Sequence, residues 1–301
     1  MALLSHRQGW WLAVLLTLFP CIFSASNTSD APLTTYHTGT NEVRLAFFAT
    51  DERDHLVESL GRDDFAVVDG ESVVRDFRSL TRSSETALEI VVLVDTSQSV
   101  EKHFRSIVED VSRLATAFPP NRADTLSVVA FSGVHSRILC AGNCADSAAQ
   151  QRIRGLRADG NTPLYDAMIE VASNLAARPK PDVRQVVILF SDGIDTISRA
   201  SAHEALKQFM ATSAVVYAVS QDTSSENGRL DDIAEATGGR LLVRSGVNVL
   251  ETILAEQRAS YVVTYSLPRR DQGFHSLRIL PKHNLNLQFH CRRGYYYDEV
   301  R

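Results

Sequence analysis

The chain has 301 residues, 44% hydrophobic and 22% charged, with a formal net charge of −5. That length suffices for one large or two modest domains with a real core, at the composition of an ordinary globular protein. The acidic total argues against an electrostatic nucleic-acid binder, which needs a basic face.

Residues 1–26, "MALLSHRQGWWLAVLLTLFPCIFSAS", place Arg7 before an apolar stretch from Trp10 to Phe23, then the small residues Ser24, Ala25 and Ser26. That is the order of a cleaved secretory signal. A retained membrane anchor is the rival reading, but the stretch is short for a span of about 20 residues and contains Pro20. Cys21 sits between Pro20 and bulky Ile22, unlike a lipidated cysteine. Cleavage removes one Arg and no acid, taking the charge from −5 to −6. The expectation is an exported chain, periplasmic, on the cell surface or secreted, with no membrane span after cleavage. Its oligomeric state stays open.

Residues 27–40, "NTSDAPLTTYHTGT", are polar without a period and read as a linker. The sequon at Asn27 is a motif common by chance. From 41 to 83 short strands follow: "VRLAFFATD" alternates Val43, Leu45 and Phe47 with Arg44 and Ala46, "DFAVVDG" runs into an Asp69-Gly70 turn, and "VVRDFRSL" comes next. Some forty residues of β structure do not easily stand alone.

From 87 to 257 the pattern changes. Apolar runs "LEIVVLVD", "TLSVVAFSG", "RQVVILFSD" and "SAVVYAVS" alternate with helical segments. The first helix, "HFRSIVEDVSRLATAF", puts Phe104, Val108, Val111, Leu114 and Phe118 on one face. "PLYDAMIEVASNLAAR", "SAHEALKQFMA", "GRLDDIAEATG" and "NVLETILAEQRAS" repeat the idea. The predicted fold class is α/β, a doubly wound, mostly parallel sheet flanked by helices. Between the second and third runs, "CAGNC" puts Cys140 and Cys144 in a small polar loop. In an oxidising compartment they close on each other, leaving Cys291 unpaired; the alternative is three free thiols. Two cysteines without nearby histidines do not make a zinc site.

From 260 to 298 strands return in "SYVVTYSL", "FHSLRIL" and "LNLQFHC", the last alternating Leu285, Leu287, Phe289 and Cys291 with polar residues. Neither β flank looks self-sufficient. Residues 41–83 and 260–298 are therefore expected to form one small β-sandwich, with the α/β domain inserted between them and its ends close together.

Three segments carry chemistry. "VVLVDTSQS" ends a buried strand in Asp95, Ser97 and Ser99. "ADGNTPLYDAM" puts Thr162 just before a helix, with Pro163 suited to its first turn. "VVILFSDGIDT" ends another buried strand in Asp192 and Gly193. In an open parallel sheet such strand ends form the ligand edge. Two carboxylates and three hydroxyls are a hard-oxygen set, suited to Mg²⁺ or Mn²⁺. Burying both carboxylates without a cation is costly. Each segment alone has a plainer meaning: a helix N-cap, a loop feeding a helix, a turn. Their combination at element boundaries points to a site.

"DTSQS", "GNTPLYDA" and "FSDG" resemble the metal-ion-dependent adhesion site of von Willebrand factor type A domains, a Rossmann-like fold, across about residues 87–257. The resemblance implies that Ser97, Ser99 and Thr162 supply hydroxyl oxygens and that Asp95 and Asp192 supply carboxylates to Mg²⁺, Mn²⁺ or Ca²⁺. One position stays open for an acidic side chain of a protein partner. The flanks "LGRDDFAVVDG" and "YVVTYSLP…GFHSLRIL…CRRGYYYDE" more loosely resemble exported bacterial proteins built around such a domain. The Cys140/Cys144 pair has no counterpart in the shared pattern.

An enzyme would need further groups. "HEALK" lacks the second histidine of a zinc protease, and there is no GxSxG elbow and no Walker loop. The expected function is a non-enzymatic binding and adhesion module, without catalytic residues or an organic cofactor. The alternatives are a metal-stabilised structural scaffold of the cell envelope and a Mg²⁺-dependent hydrolase, the latter lacking a candidate base. His103 reads as a solvated helix residue, and Asp195 as an outer carboxylate or a turn residue. Arg269-Arg270 and Arg292-Arg293 beside "GYYY" read as strand ends rather than a nucleic-acid patch, so no nucleic-acid partner is expected.

Overall fold

The computed structural model describes residues 37–38, 42–82, 84, 86–118, 124–178, 180, 183–221, 228–244 and 248–297. Residues 1–26, the predicted secretory signal with Cys21, and the sequon at Asn27 lie outside the described residues.

The first half of a β-sandwich comprises β1 (His37–Thr38), β2 (Glu42–Thr50), β3 (Phe65–Asp69), β4 (Ser72–Val74) and β5 (Phe77–Arg82). The α/β unit follows: β6 (Ala87–Asp95), a 3-10 turn (Gln98–His103), α1 (Phe104–Ala117), β7 (Thr125–Ser132), β8 (His135–Ala141), α2 (Ser147–Arg154), α3 (Leu164–Ala176) and β9 (Val183–Phe190). It continues through α4 (Ala202–Met210), β10 (Val215–Ser220), α5 (Gly228–Thr237), β11 (Leu241–Val243) and α6 (Val249–Ala259). The sandwich resumes with β12 (Tyr261–Ser266), β13 (Gly273–Pro281), β14 (Gln288–Cys291) and β15 (Gly294–Tyr297).

The central sheet runs β11-β10-β9-β6-β7-β8. Every pair is parallel except β7–β8. β6 and β9 are near-continuous Val, Ile and Leu because both of their faces are covered. On one face Ile90, Val92 and Val94 pack with α1, α2 and α6. On the other, Leu93, Val187 and Leu189 pack with α3, α4 and α5. The sheet is therefore doubly wound, as the alternating pattern predicts. Local signals agree at α4, where Ser201 and Glu204 form a reciprocal capping box.

The flanks build two antiparallel sheets. One runs β1-β2-β12-β5, with β14 also on β2; the other runs β15-β13-β3-β4. Val43, Leu45 and Phe47 meet Phe65, Val67, Tyr261, Val263, Leu277 and Ile279 between them. Chain segments far apart in sequence thus complete one core. Tyr261 of β12 pairs with Arg82 of β5, so the strand leading into the α/β unit and the strand leaving it are neighbours. At the junction, Gly238 at φ 93° permits a close approach, since a Cβ there would lie 2.9 Å from the Arg292 amide nitrogen.

Several local expectations are corrected. His37–Thr38, within the predicted linker, pairs with β2. "VVRDFRSL" is two strands, because β4 pairs with β3 in one sheet and β5 with β12 in the other. On α1, Ile107 is buried and Val108 only partly so, which turns the face slightly from the predicted one. Leu285 is 75% exposed in the loop between β13 and β14, and the predicted alternation begins only at Leu287. β8, α2 and β11 are short elements without a clear period, and the sequence reading passed over them. The expected small polar loop holds only in part: residues 141–143 are exposed and Cys144 lies between β8 and α2, but Cys140 belongs to β8, and both cysteines are buried in the core with α1 and α2. They are joined by a disulfide, and Cys291 is free.

Candidate metal centre

β6 and β9 lie side by side, with Val94 opposite Phe190. The chain leaves β6 for α1 on one face and β9 for α4 on the other. The crevice between their carboxyl ends is thus a switch point, where open α/β sheets take ligands. Asp95 is the last residue of β6, and Ser191 and Asp192 follow β9.

The loop after β6 is held in place first by its backbone. Thr96 donates its amide and its Oγ1 to the Phe131 carbonyl, at 3.0 and 3.1 Å. The Gln98 amide donates to the Gly160 carbonyl at 2.9 Å, and the Gly133 amide to Asn161 at 2.8 Å. These bonds bring the ends of β6 and β7 and the loop before α3 together.

Within that frame the hydroxyls converge. Ser97 donates from its amide and its Oγ to Asp95 Oδ1, at 2.9 and 2.6 Å. Thr162 Oγ1 donates to Ser97 Oγ at 2.8 Å. Ser99 Oγ lies 2.9 Å from Ser97 Oγ and 3.4 Å from Thr162 Oγ1. Asp95, Ser97 and Thr162 are buried, whereas Ser99 is exposed, so the cluster opens to solvent on one side. Four of the five predicted donors therefore form one hydrogen-bonded group. The fifth, half-buried Asp192, takes the Ile194 amide on Oδ1 at 3.1 Å and acts on Asp95 through its charge. Gly193, at φ 82°, turns the chain away directly after it.

Burial pushes the Asp95 carboxyl up to about 6, the hydrogen bonds from Ser97 and Ser191 oppose this, and Asp192 adds to it. Two acids at one water-poor strand edge are a standing electrostatic cost that a bound cation removes. Among the described residues no three His, Cys, Asp or Glu side chains form a metal-holding group, so any ion here would depend on the hydroxyls. An all-oxygen set fits Mg²⁺, Mn²⁺ or Ca²⁺ and does not suit soft metals.

Sequence reasoning missed Ser191, whose Oγ donates to Asp95 Oδ2 at 2.8 Å and accepts the Gly193 amide at 3.1 Å. Its one signal was its place between Phe190 and Asp192. Asp195 is neither at the cluster nor simply a solvated turn residue: its Oδ1 accepts from the Leu164 amide at 2.9 Å and from Ser198 Oγ at 2.5 Å. His103 closes the 3-10 turn, and its carbonyl takes Ser106 Oγ. Arg292 is buried rather than solvated, and donates to three main-chain carbonyls.

The family model of the von Willebrand factor type A domain matches residues 89–255. No curated protein matches the chain. Among solved structures, a von Willebrand factor type A protein from Catenulispora acidiphila is similar at 14% identity and a TM-score of 0.49, over 88% of this chain and 65% of that one. An aerotolerance-related membrane protein from Bacteroides fragilis aligns at 14% identity and a TM-score of 0.44, over 57% of this chain and 98% of that one. A pilus adhesin from Lactobacillus rhamnosus GG aligns at 11% identity and a TM-score of 0.45, over 79% of this chain and 48% of that one. Among the described residues no helix is long and apolar enough to cross a membrane.

Proposed function

This chain belongs to the von Willebrand factor type A domain family, and from that premise we propose that it is a non-enzymatic binding and adhesion module engaging a protein partner through a divalent cation. Asp95, Ser97, Ser99, Thr162 and Asp192 would hold Mg²⁺, Mn²⁺ or Ca²⁺. The ion would supply positive charge to attract an acidic side chain of the partner. The chain's own residues orient the hydroxyls, keep water from Asp95 and leave Ser99 at the mouth.

The observation that carries this reading is the contact of Ser97, Ser99 and Thr162 with one another, and of Ser97 with buried Asp95, at the β6–β9 edge. Without an ion the hydroxyls satisfy one another, but a carboxylate in so dry a place favours a cation. Export belongs to the same proposal, with the chain in the periplasm, on the cell surface or released. The order of residues 1–26 and the Cys140–Cys144 disulfide support it.

The test is calorimetric titration of Mg²⁺ and Mn²⁺ into wild type and Asp95→Ala, with circular dichroism as the folding control. Binding by wild type and its loss in a folded Asp95→Ala protein support the reading; equal affinity in two folded proteins refutes the site. A pull-down from the native envelope in Mg²⁺ and in chelator then tests the partner. Capture that is identical in both would leave the metal at most a structural role.

A further inference from the structure

Thr162 and Asp192 belong to different loops, one before α3 and one after β9, so their relative position has to be built. The Thr162 amide donates to Thr196 Oγ1 at 2.8 Å, and its carbonyl accepts from the Thr196 and Ile197 amides at 2.9 and 3.2 Å. Pro163, directly before α3 rather than in its first turn, offers no side-chain cap. The helix's first free amides are capped instead by the other loop. Leu164 donates to Asp195 Oδ1 at 2.9 Å, and Tyr165 and Asp166 donate to Ser198 Oγ at 3.0 and 3.2 Å. α3 answers in kind: the Asp166 carboxylate takes the Arg199 and Ala200 amides, each at 3.0 Å.

We infer that Asp195, Thr196 and Ser198, closed from the other side by Asp166, are positioning residues that lock the Thr162 loop onto the Asp192 loop and so set the candidate metal oxygens before an ion arrives. This rests on the metal reading given above. The bonded oxygen of Asp195 is turned towards the α3 backbone, so the residue acts through Thr162 rather than by touching an ion. Ordering two loops costs conformational entropy, and an interlock already formed in the folded chain removes that cost from the binding step.

The experiment is titration of Mn²⁺ into wild type, Asp195→Ala, Asp195→Asn, Ser198→Ala and Thr196→Val, with amide hydrogen exchange in chelator. Asp195→Ala and Thr196→Val should weaken binding roughly tenfold, the scale of about one lost hydrogen bond. Asp195→Asn keeps the acceptor oxygen and should stay within about threefold of wild type. In chelator, Asp195→Ala should speed exchange at Leu164 and Tyr165, and across the interlock at Arg199, while β6 and β9 keep their protection. Ser198→Ala leaves the carboxylate in place and serves if Asp195→Ala does not fold. An Asp195→Asn protein as weak as Asp195→Ala would make the carboxylate's charge, not its positioning, the active feature and overturn the inference. So would unchanged affinity in Asp195→Ala or, where that variant is unfolded, in Ser198→Ala. Failure of wild type to bind any cation would instead sink the metal reading, and this inference with it.

Discussion

Ser191 Oγ donates to Asp95 Oδ2 at 2.8 Å, tying the residue after β9 to the last residue of β6. With Ser97 on the other carboxylate oxygen, Asp95 is hydrogen-bonded on both sides and still wholly buried. Burial wins over these bonds and raises its carboxyl to about 6 from 3.8.

That shift gives the metal-free protein a defined pH response. The folded state holds the Asp95 proton more tightly than the unfolded chain does. The resulting stability is complete below about pH 4 and is lost as pH rises through 6, an effect of about 3 kcal/mol. In chelator, the urea midpoint of wild type should therefore fall relative to that of Asp95→Asn between pH 4 and pH 7.5. The variant should be the more stable of the two at pH 7.5. Parallel pH curves for the two proteins would contradict the assignment.

The thiols should behave unequally. Cys140 and Cys144 are buried and bridged, so neither should react in the folded or the denatured, unreduced protein. Cys291 is free, and burial pushes its thiol up to about 12, so it should label slowly at pH 8 when folded and readily once unfolded. Replacing both bridged cysteines with serine should cost about 2 kcal/mol from the released short loop, and more where the buried hydroxyls lack partners. Mass spectrometry after alkylation, with and without reductant, and urea unfolding read these outcomes.

A second buried carboxylate lies in the sandwich. Asp69 Oδ2 accepts from Tyr265 Oη at 2.9 Å and from Tyr295 Oη at 2.8 Å. Burial and the Asp69 charge hold both phenols well above their ordinary range, so they remain donors. Tyr265→Phe and Tyr295→Phe should each cost about 2 kcal/mol. The double variant should cost more than their sum, because the carboxylate then keeps only His275, whose Nδ1 lies 3.4 Å from its other oxygen. Additive or negligible losses in denaturant titrations would show that the phenols do not carry Asp69.

Arg292 ties the C-terminal flank to the α/β unit. Its guanidinium donates to Gly294, Thr212 and Met210 carbonyls at 2.9, 2.9 and 2.8 Å. Lysine cannot reproduce that planar fork, so Arg292→Lys should lose about 2–3 kcal/mol despite keeping the charge. The loss should appear as faster hydrogen exchange at the end of α4 as well as a lower unfolding midpoint. Wild-type stability and exchange in the lysine variant would exclude this role.

The sequence alone determined the elements whose pattern is dictated locally. Within "EIVVLVD" and "RQVVILF", residues 90–94 and 186–190 are apolar throughout because both sides of β6 and β9 are covered, and the helices between them follow the 3.6-residue period. It also picked out Asp95, Ser97, Ser99 and Asp192, because oxygen-bearing residues after buried runs stand out against their neighbours, and Thr162, because it leads into a helix. Only the tertiary structure decided what depends on partners distant in the chain. Ser191 looks like any turn serine until β9 lies beside β6. Cys140 looks like part of a polar loop until β8 folds against β7 and carries it into the core. Asp195 looks like part of a turn until its loop reaches the uncapped start of α3. Arg292 looks like a surface charge until two carbonyls from the end of α4 join that of nearby Gly294 around it. Period and composition report how much of a residue is covered, whereas hydrogen-bond partners are set by which segments the fold brings into contact.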